Sequence, residues 1–288
     1  MVISRRWFLI GGASAAVLAA CGGDDDSSGP PSTTDATLAG LTIYRVFSPQ
    51  QPAGGDVRLP VALADAEGGL LDEPPASITY RYGLDGGPLG DPVEAARHDD
   101  GIPTAYFPLF LTLDEVGSWR IEITAGGVTA ATSLQAVPPN ETAAVPAPGT
   151  SLIPLATPTV DDPRGVDPVC TREPPCPFHA QTLEAALESG KPVAFLISTP
   201  MFCQTAICGP VLDLLVERAD ELGDDLAIVH AEVYTDDTAR TTTEAVQAYG
   251  LTWEPSLFLA RPGGTIVSRL DYTYDAVEVD QALRALLS

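Results

Sequence analysis

Positive charge is scarce in this chain. Fifteen Lys and Arg residues stand against 39 Asp and Glu, for a formal net charge of −24. Such a balance has nothing to neutralise a phosphate backbone with, so nucleic-acid binding is excluded. It keeps the chain soluble and repels acidic partners. Lysine is almost missing, with Lys191 alone beside fourteen Arg, which reads as codon bias before any mechanism. There is no apolar run of membrane-spanning length: the stretch from Trp7 to Ala20 falls short of the roughly 20 residues a span needs. Cysteine is sparse and odd in number, at 21, 170, 176, 203 and 208. None lies between residues 40 and 137, which removes an antibody-type core disulfide from that region. What is present is ample apolar content, 45%, in 288 residues. That excludes global disorder and leaves room for two domains.

The odd cysteine is placed by its surroundings. Ser4-Arg5-Arg6-Trp7-Phe8-Leu9 is a twin-arginine pattern followed by a small-residue apolar stretch to Ala20. Leu18-Ala19-Ala20-Cys21 resembles a bacterial lipobox, in which cleavage falls before the cysteine and its thiol is acylated. The resemblance implies a lipid anchor on Cys21 and a mature chain outside the cytoplasm, attached to the cell membrane. Loss of Arg5 and Arg6 would take the net charge from −24 to −26. Residues 22–39, rich in Gly, Asp, Ser, Pro and Thr, read as a flexible linker.

Residues 40–137 read as all-β. Alternating runs at 41–47, 57–63, 77–82, 104–111, 117–124 and 128–134 are separated by turn signals such as Asp85-Gly-Gly and Ala125-Gly-Gly. About 100 residues at this spacing fit an immunoglobulin-like β-sandwich. Trp119 and Ile121 should face its core, with Arg120 and Glu122 outward. His98-Asp99-Asp100 reads as solvated surface. Residues 138–168 carry repeated prolines without periodicity, predicting a semi-rigid connector or a strap along the next domain.

In residues 169–288, helical and strand patterns alternate. Helices are predicted at 182–189, 210–222, 243–249 and 275–287, and strands at 192–198, 226–233, 256–260 and 265–270. Cys203 and Cys208 lie where the apolar run Val193-Ala-Phe-Leu-Ile197 ends and a helix begins. Unpaired N–H groups and partial positive charge at a helix start favour a thiolate, and a second thiol permits a disulfide. On an ideal helix, residues five apart point about 140° away from each other. A Cys203–Cys208 disulfide therefore needs Cys203 ahead of the helix, or a first turn that unwinds.

The last stretch resembles the thioredoxin-like superfamily, on Phe202-Cys203, Cys208-Gly-Pro210, Trp253-Glu-Pro-Ser256 and the element order. The expected class is thus an α/β thioredoxin-like C-terminal domain (169–288) after an all-β immunoglobulin-like sandwich (40–137). The resemblance implies thiol–disulfide oxidoreductase activity, with Cys203 attacking and Cys208 resolving. It also implies a cis bond before Pro255, and a substrate groove shaped by Phe202, Glu254, Pro255 and Ser256. Two departures stand out. The spacing is Cys-x4-Cys rather than Cys-x2-Cys, and Ile197 occupies the place of the family's buried acid. With no Lys, Arg or His within several residues of Cys203, and Glu254 near the sulfurs, a modestly lowered thiol pKa is predicted, not one below about 5.

Other readings of the same residues are kept. Thr199-Pro200 with Cys-x4-Cys-Gly is similar to one-subunit, two-cysteine peroxiredoxins, though the proline sits one residue too far from Cys203. Cys203, Cys208 and His230 could make a soft Cu(I) site like that of the copper-handling branch of the same superfamily. A non-catalytic scaffold with structural disulfides is the non-enzyme alternative. Cys170 and Cys176, around Pro174-Pro175, are expected to close a small structural disulfide loop, worth about 2 kcal/mol on chain-entropy grounds. A zinc site drawing on both cysteine pairs is disfavoured by their wide spacing. No cofactor is expected. The expected partners are thiols or disulfides of envelope proteins, or another thioredoxin-like electron carrier.

Overall fold

Strict alternation builds the first half of the chain. In Gly117–Ala125 the side chains of Trp119, Ile121, Ile123 and Ala125 are buried while Arg120 is exposed, so one strand face meets a core and the other meets solvent. The computed structural model describes residues 40–288. Arg5, Arg6, Cys21 and the linker at 22–39 lie outside the described residues.

Eight strands come first: β1 (Thr42–Arg45), β2 (Gln50–Pro52), β3 (Gly55–Ala64), β4 (Ser77–Leu84), β5 (Val93–Ala96), β6 (Phe107–Leu113), β7 (Gly117–Ala125) and β8 (Val128–Val137). They form two sheets, ordered β1-β3-β6 and β2-β8-β7-β4-β5. All pairs are antiparallel except β2 on β8. Leu59, Val61, Leu109 and Leu111 of one sheet pack against Tyr80, Ile121 and Ile123 of the other, giving a sandwich with a single apolar core. Tyr80 keeps its hydroxyl satisfied inside this core by donating to the Phe110 carbonyl at 2.9 Å.

Residues after β8 run as a strap. Leu152 N–H donates to the Gly264 carbonyl, Ile266 N–H to the Thr150 carbonyl, and the Tyr249 hydroxyl bonds both polar backbone groups of Ile153. Then follow α1 (Leu183–Glu188), β9 (Val193–Ile197), α2 (Cys208–Leu222), β10 (Ala227–Ala231), α3 (Glu244–Ala248), β11 (Ser256–Ala260), β12 (Ile266–Asp271) and α4 (Ala276–Leu287). The third sheet has the order β10-β9-β11-β12, with β9 parallel to β10 and antiparallel to β11. Its central strands are buried on both faces, which is why they read as unbroken apolar runs. Ala194 and Leu196 face Leu212, Leu215 and Val279 of α2 and α4, whereas Val193, Phe195 and Ile197 face Leu183, Val246 and Tyr249 of α1 and α3 with its capping residue.

Sandwich and third sheet meet across a buried polar seam. Arg58 of β3 makes a bidentate pair with Glu278 of α4, and one of its nitrogens donates to the Thr273 carbonyl at 2.6 Å. Tyr106 also donates to Glu278. His98, expected on the surface, is instead only 14% exposed and donates from Nδ1 to Asp275 at 2.9 Å.

The class expected from sequence, an α/β thioredoxin-like C-terminal domain beside a sandwich, is corrected. The described chain is mostly β, with 34% of residues in strands and 18% in helices. The physical reason is helix length: α1 has 6 residues and α3 has 5, barely one turn and a half each, while strands reach 10 residues.

Candidate active site

Cys203 is placed by the turn that joins β9 to α2. The Ala206 N–H donates to the Cys203 carbonyl at 3.3 Å, and Ala206 itself adopts the left-handed conformation (φ 55°). The chain thus doubles back, so that Cys203 sits ahead of the helix with its sulfur over the first helical turn. Helix α2 begins at Cys208 with Ile207 at the cap position and no side-chain cap from it. The Cys203 Sγ takes that role by accepting the Cys208 N–H at 3.4 Å. Cys203 thus precedes α2, the first of the two arrangements left open by the sequence.

The two thiols differ sharply. Cys203 is partly exposed, and Cys208 is fully buried. A hydrogen bond from the Cys208 thiol, aided by the Thr205 hydroxyl and the backbone N–H groups of Cys208 and Ile207, lowers the Cys203 pKa to about 5, against the opposing effect of burial. The proton that Cys208 shares with Cys203, together with burial, pushes the Cys208 pKa far up. The lowering reaches the edge of the predicted range without passing below it, and its leading cause, donation from the Cys208 thiol, leaves no sign in the sequence. Glu254 lies close enough to interact electrostatically with both sulfurs; its own pKa is raised by burial and then by charge on Cys203.

The remaining groove residues divide. The Glu254–Pro255 bond is cis. Pro255 is buried, while Phe202 is half-buried and packs edge-on against Tyr234, with ring centres 5.9 Å apart. Ser256, expected in the groove, is instead fully buried with its hydroxyl donated to Asp271 at 2.8 Å. Trp253 stacks on Tyr272, away from solvent on one face. Ile197 is buried among apolar neighbours. A buried carboxyl does lie just past the end of the neighbouring strand: Glu232, following β10, accepts from both the backbone N–H and the hydroxyl of Thr171. The Thr171 hydroxyl oxygen also accepts the Met201 N–H at 3.1 Å.

The second cysteine pair corrects two expectations. Cys170 and Cys176, expected as a structural disulfide, are both free and buried thiols. His230, considered as a third ligand beside Cys203 and Cys208, stands with this other pair. Cys170, Cys176, His179 and His230 are all buried, and their sulfur and ring-nitrogen atoms lie within 4.8 Å of one another. His179 escaped the sequence reading, although it lies three residues after Cys176 in Cys176-Pro-Phe-His179. The groups that share this cluster hold one thiol proton between the sulfurs: Cys176 hydrogen-bonds to Cys170, which lowers Cys170 and raises Cys176.

No family model matches this chain, and no curated protein matches it. Similar solved structures include the filamin domain of Lin-41 (17% identity over 34% of this chain and 91% of that one, TM-score 0.24). The PKD domain of human SorCS2 is 15% identical over 44% of this chain and 98% of that one, with a TM-score of 0.21. FdeC, an adhesin of Escherichia coli, is 18% identical over 42% of this chain and 36% of that one, with a TM-score of 0.25.

Proposed function

We propose that this chain is a thiol–disulfide oxidoreductase acting outside the cytoplasm, anchored to the membrane by lipid on Cys21 after twin-arginine export through Arg5 and Arg6. The observation that carries the activity is the unequal thiol pair. A partly exposed Cys203 is held as thiolate by the start of α2, above a buried, protonated Cys208. A nucleophile that is ionised at neutral pH and a resolving thiol that is not give the reaction its order.

In the reducing direction, the Cys203 thiolate attacks one sulfur of a substrate disulfide. The new S–S bond joins Cys203 to the substrate, and the other substrate sulfur leaves as a thiolate. Cys208 then loses its proton and attacks the Cys203 sulfur. That closes Cys203–Cys208 and releases the second substrate thiol, so two electrons pass to the substrate. Glu254, coupled electrostatically to both sulfurs, is the candidate acceptor for the Cys208 proton. Phe202, next to Cys203 in the chain, and Pro255, after the cis bond, are the candidate groove residues, and the partners are thiols or disulfides of other envelope proteins.

The test is disulfide reduction in an insulin-type assay with a chemical reductant, together with thiol trapping across a glutathione series. Loss of turnover in Cys203→Ser, and accumulation of mixed disulfide in Cys208→Ser, are expected. Undiminished exchange in either variant would remove the assignment. A potential below about −300 mV would mark the pair as structural.

A further inference from the structure

We propose that Cys170, Cys176, His179 and His230 form a four-coordinate zinc(II) site, separate from the Cys203–Cys208 pair. Four soft or borderline donors converge in the interior: two sulfurs, with Cys170 and Cys176 each 5% exposed, and two imidazoles, with His179 at 2% and His230 at 0%. The donor atoms all lie within 4.8 Å of one another, and the distances from His230 Nδ1 to the other three can be set against a tetrahedron's edges. With zinc–sulfur bonds near 2.3 Å and zinc–nitrogen bonds near 2.0–2.1 Å, neighbouring ligand atoms should stand about 3.3 Å apart for N–N and about 3.6 Å for S–N. His179 Nε2 is 3.1 Å from His230 Nδ1, and Cys176 Sγ is 3.5 Å from the same nitrogen. Cys170 Sγ lies at 4.0 Å, a few tenths of an ångström outside.

Hydrogen bonding alone does not account for this arrangement. The His230 Nε2 side faces the Ser198 carbonyl at 3.2 Å and the Ser198 hydroxyl at 3.0 Å. Whichever ring nitrogen of His230 carries the proton, Nδ1 offers one hydrogen-bonding function, a lone pair or an N–H. Three polar atoms crowd that single function, and it can serve only one of them. A cation at the centre uses all four donors at once. The backbone carbonyl behind Nε2 is the kind of partner that orients a metal-binding imidazole. His179 turns its Nε2 toward the cluster, and among the described residues its Nδ1 meets no hydrogen-bond partner.

The segments that carry the four donors are hydrogen-bonded to their surroundings. Thr171 is tied to Glu232, Arg172 to Asp213 of α2 at 2.6 Å, and His230 N–H to the Phe178 carbonyl at 3.2 Å. Charge selects among cations. Two thiolates and two neutral imidazoles exactly offset a doubly charged ion, whereas a singly charged Cu(I) would leave a net negative charge buried. Thiolate donors exclude calcium and magnesium, and the closed four-donor set with no open position marks a structural role. Binding displaces the remaining thiol protons to solvent, with no change in oxidation state.

The full-length chain, purified under reducing conditions, is predicted to retain one zinc per chain by elemental analysis. Cobalt(II) substitution should give visible d–d bands of tetrahedral intensity and a thiolate-to-cobalt charge-transfer band. A Cys203→Ser/Cys208→Ser double variant should keep both signals. His179→Ala and Cys176→Ser should each weaken zinc retention at least tenfold against a chromogenic chelator. The cobalt spectrum of the unaltered chain decides the matter should those variants fail to fold. The proposal is overturned if Cys170 and Cys176 are trapped as a disulfide and, once reduced, bind no zinc. It is equally overturned if copper(I) alone is taken up, or if zinc disappears with the Cys203–Cys208 pair.

Discussion

A thiol with a pKa of about 5 changes how many protons the reduced protein carries, and this can be measured as a potential. An ordinary cysteine has a pKa near 8.5, so about 3% of it is thiolate at pH 7, against about 99% of Cys203. Ionisation therefore stabilises the reduced form at pH 7 about a hundredfold relative to a pair with an ordinary thiol. For a two-electron couple each tenfold is about 30 mV, so the potential should sit about 60 mV higher than it otherwise would. Cys208, protonated throughout, adds nothing to this difference. The same reasoning fixes the pH dependence. Below pH 5, reduction takes up two protons with two electrons and the potential falls about 59 mV per pH unit. Between pH 5 and 8 only Cys208 takes a proton, and the slope should halve to about 30 mV. Thiol trapping in glutathione buffers from pH 4 to pH 8 reads both slopes. A slope of about 59 mV per pH unit maintained up to pH 8 would refute the thiolate assignment. In Cys208→Ala, which removes the leading cause of the lowering, the pH midpoint of Cys203 alkylation should move up by more than one pH unit.

Other outcomes follow from the same geometry. With both thiols reduced, stability should rise with pH between about 5 and about 8.5, since the unfolded Cys203 holds a proton that the folded one has lost; closing the Cys203–Cys208 disulfide should diminish this rise in urea titrations, leaving the part due to the lowered Cys170. Glu278→Ala strands the Arg58 charge in a buried seam and should cost about 3–5 kcal/mol in urea unfolding; a loss below about 1 kcal/mol would show the seam to be wet. His98 has its pKa raised first by the hydrogen bond to Asp275, and Asp275 has its own lowered despite burial. The pair's contribution is therefore present between the lowered Asp275 value and the raised His98 value. It should fade as pH rises through the His98 midpoint, which ring-proton NMR should place above about 6.5. Leu109→Ala, at the centre of the sandwich core, should cost about 2–5 kcal/mol by the same urea assay.

Much of the secondary structure was legible because burial leaves a period in the sequence. Val193–Ile197 has no polar residue because both faces of β9 are covered, and β7 alternates because only one face is. The short strands β2 and β5 escaped because edge strands of three and four residues bury too little to leave a pattern. The class was misjudged because element order does not reveal helix length: α1 and α3 read as full helices and are little more than a turn each. The Cys203 and Cys208 environment was partly visible, since a strand-to-helix junction can be read locally. The donation from Cys208 to Cys203 was not, because it depends on the left-handed Ala206 that folds the loop back. The cluster at Cys170 was hidden for a different reason. It joins a proline-bent loop to the middle of a strand through strand pairing, His230 beside Leu196, that no local spacing encodes.

The seam of Arg58, Tyr106, Glu278, His98 and Asp275 makes the sandwich a handle on the thiol site. A loosely strung pair of domains would let Cys203 take many directions relative to the sandwich. Here the seam holds the sandwich and the third sheet in one orientation, so a probe fixed on a sandwich strand far from Cys203 would report the direction in which that sulfur faces.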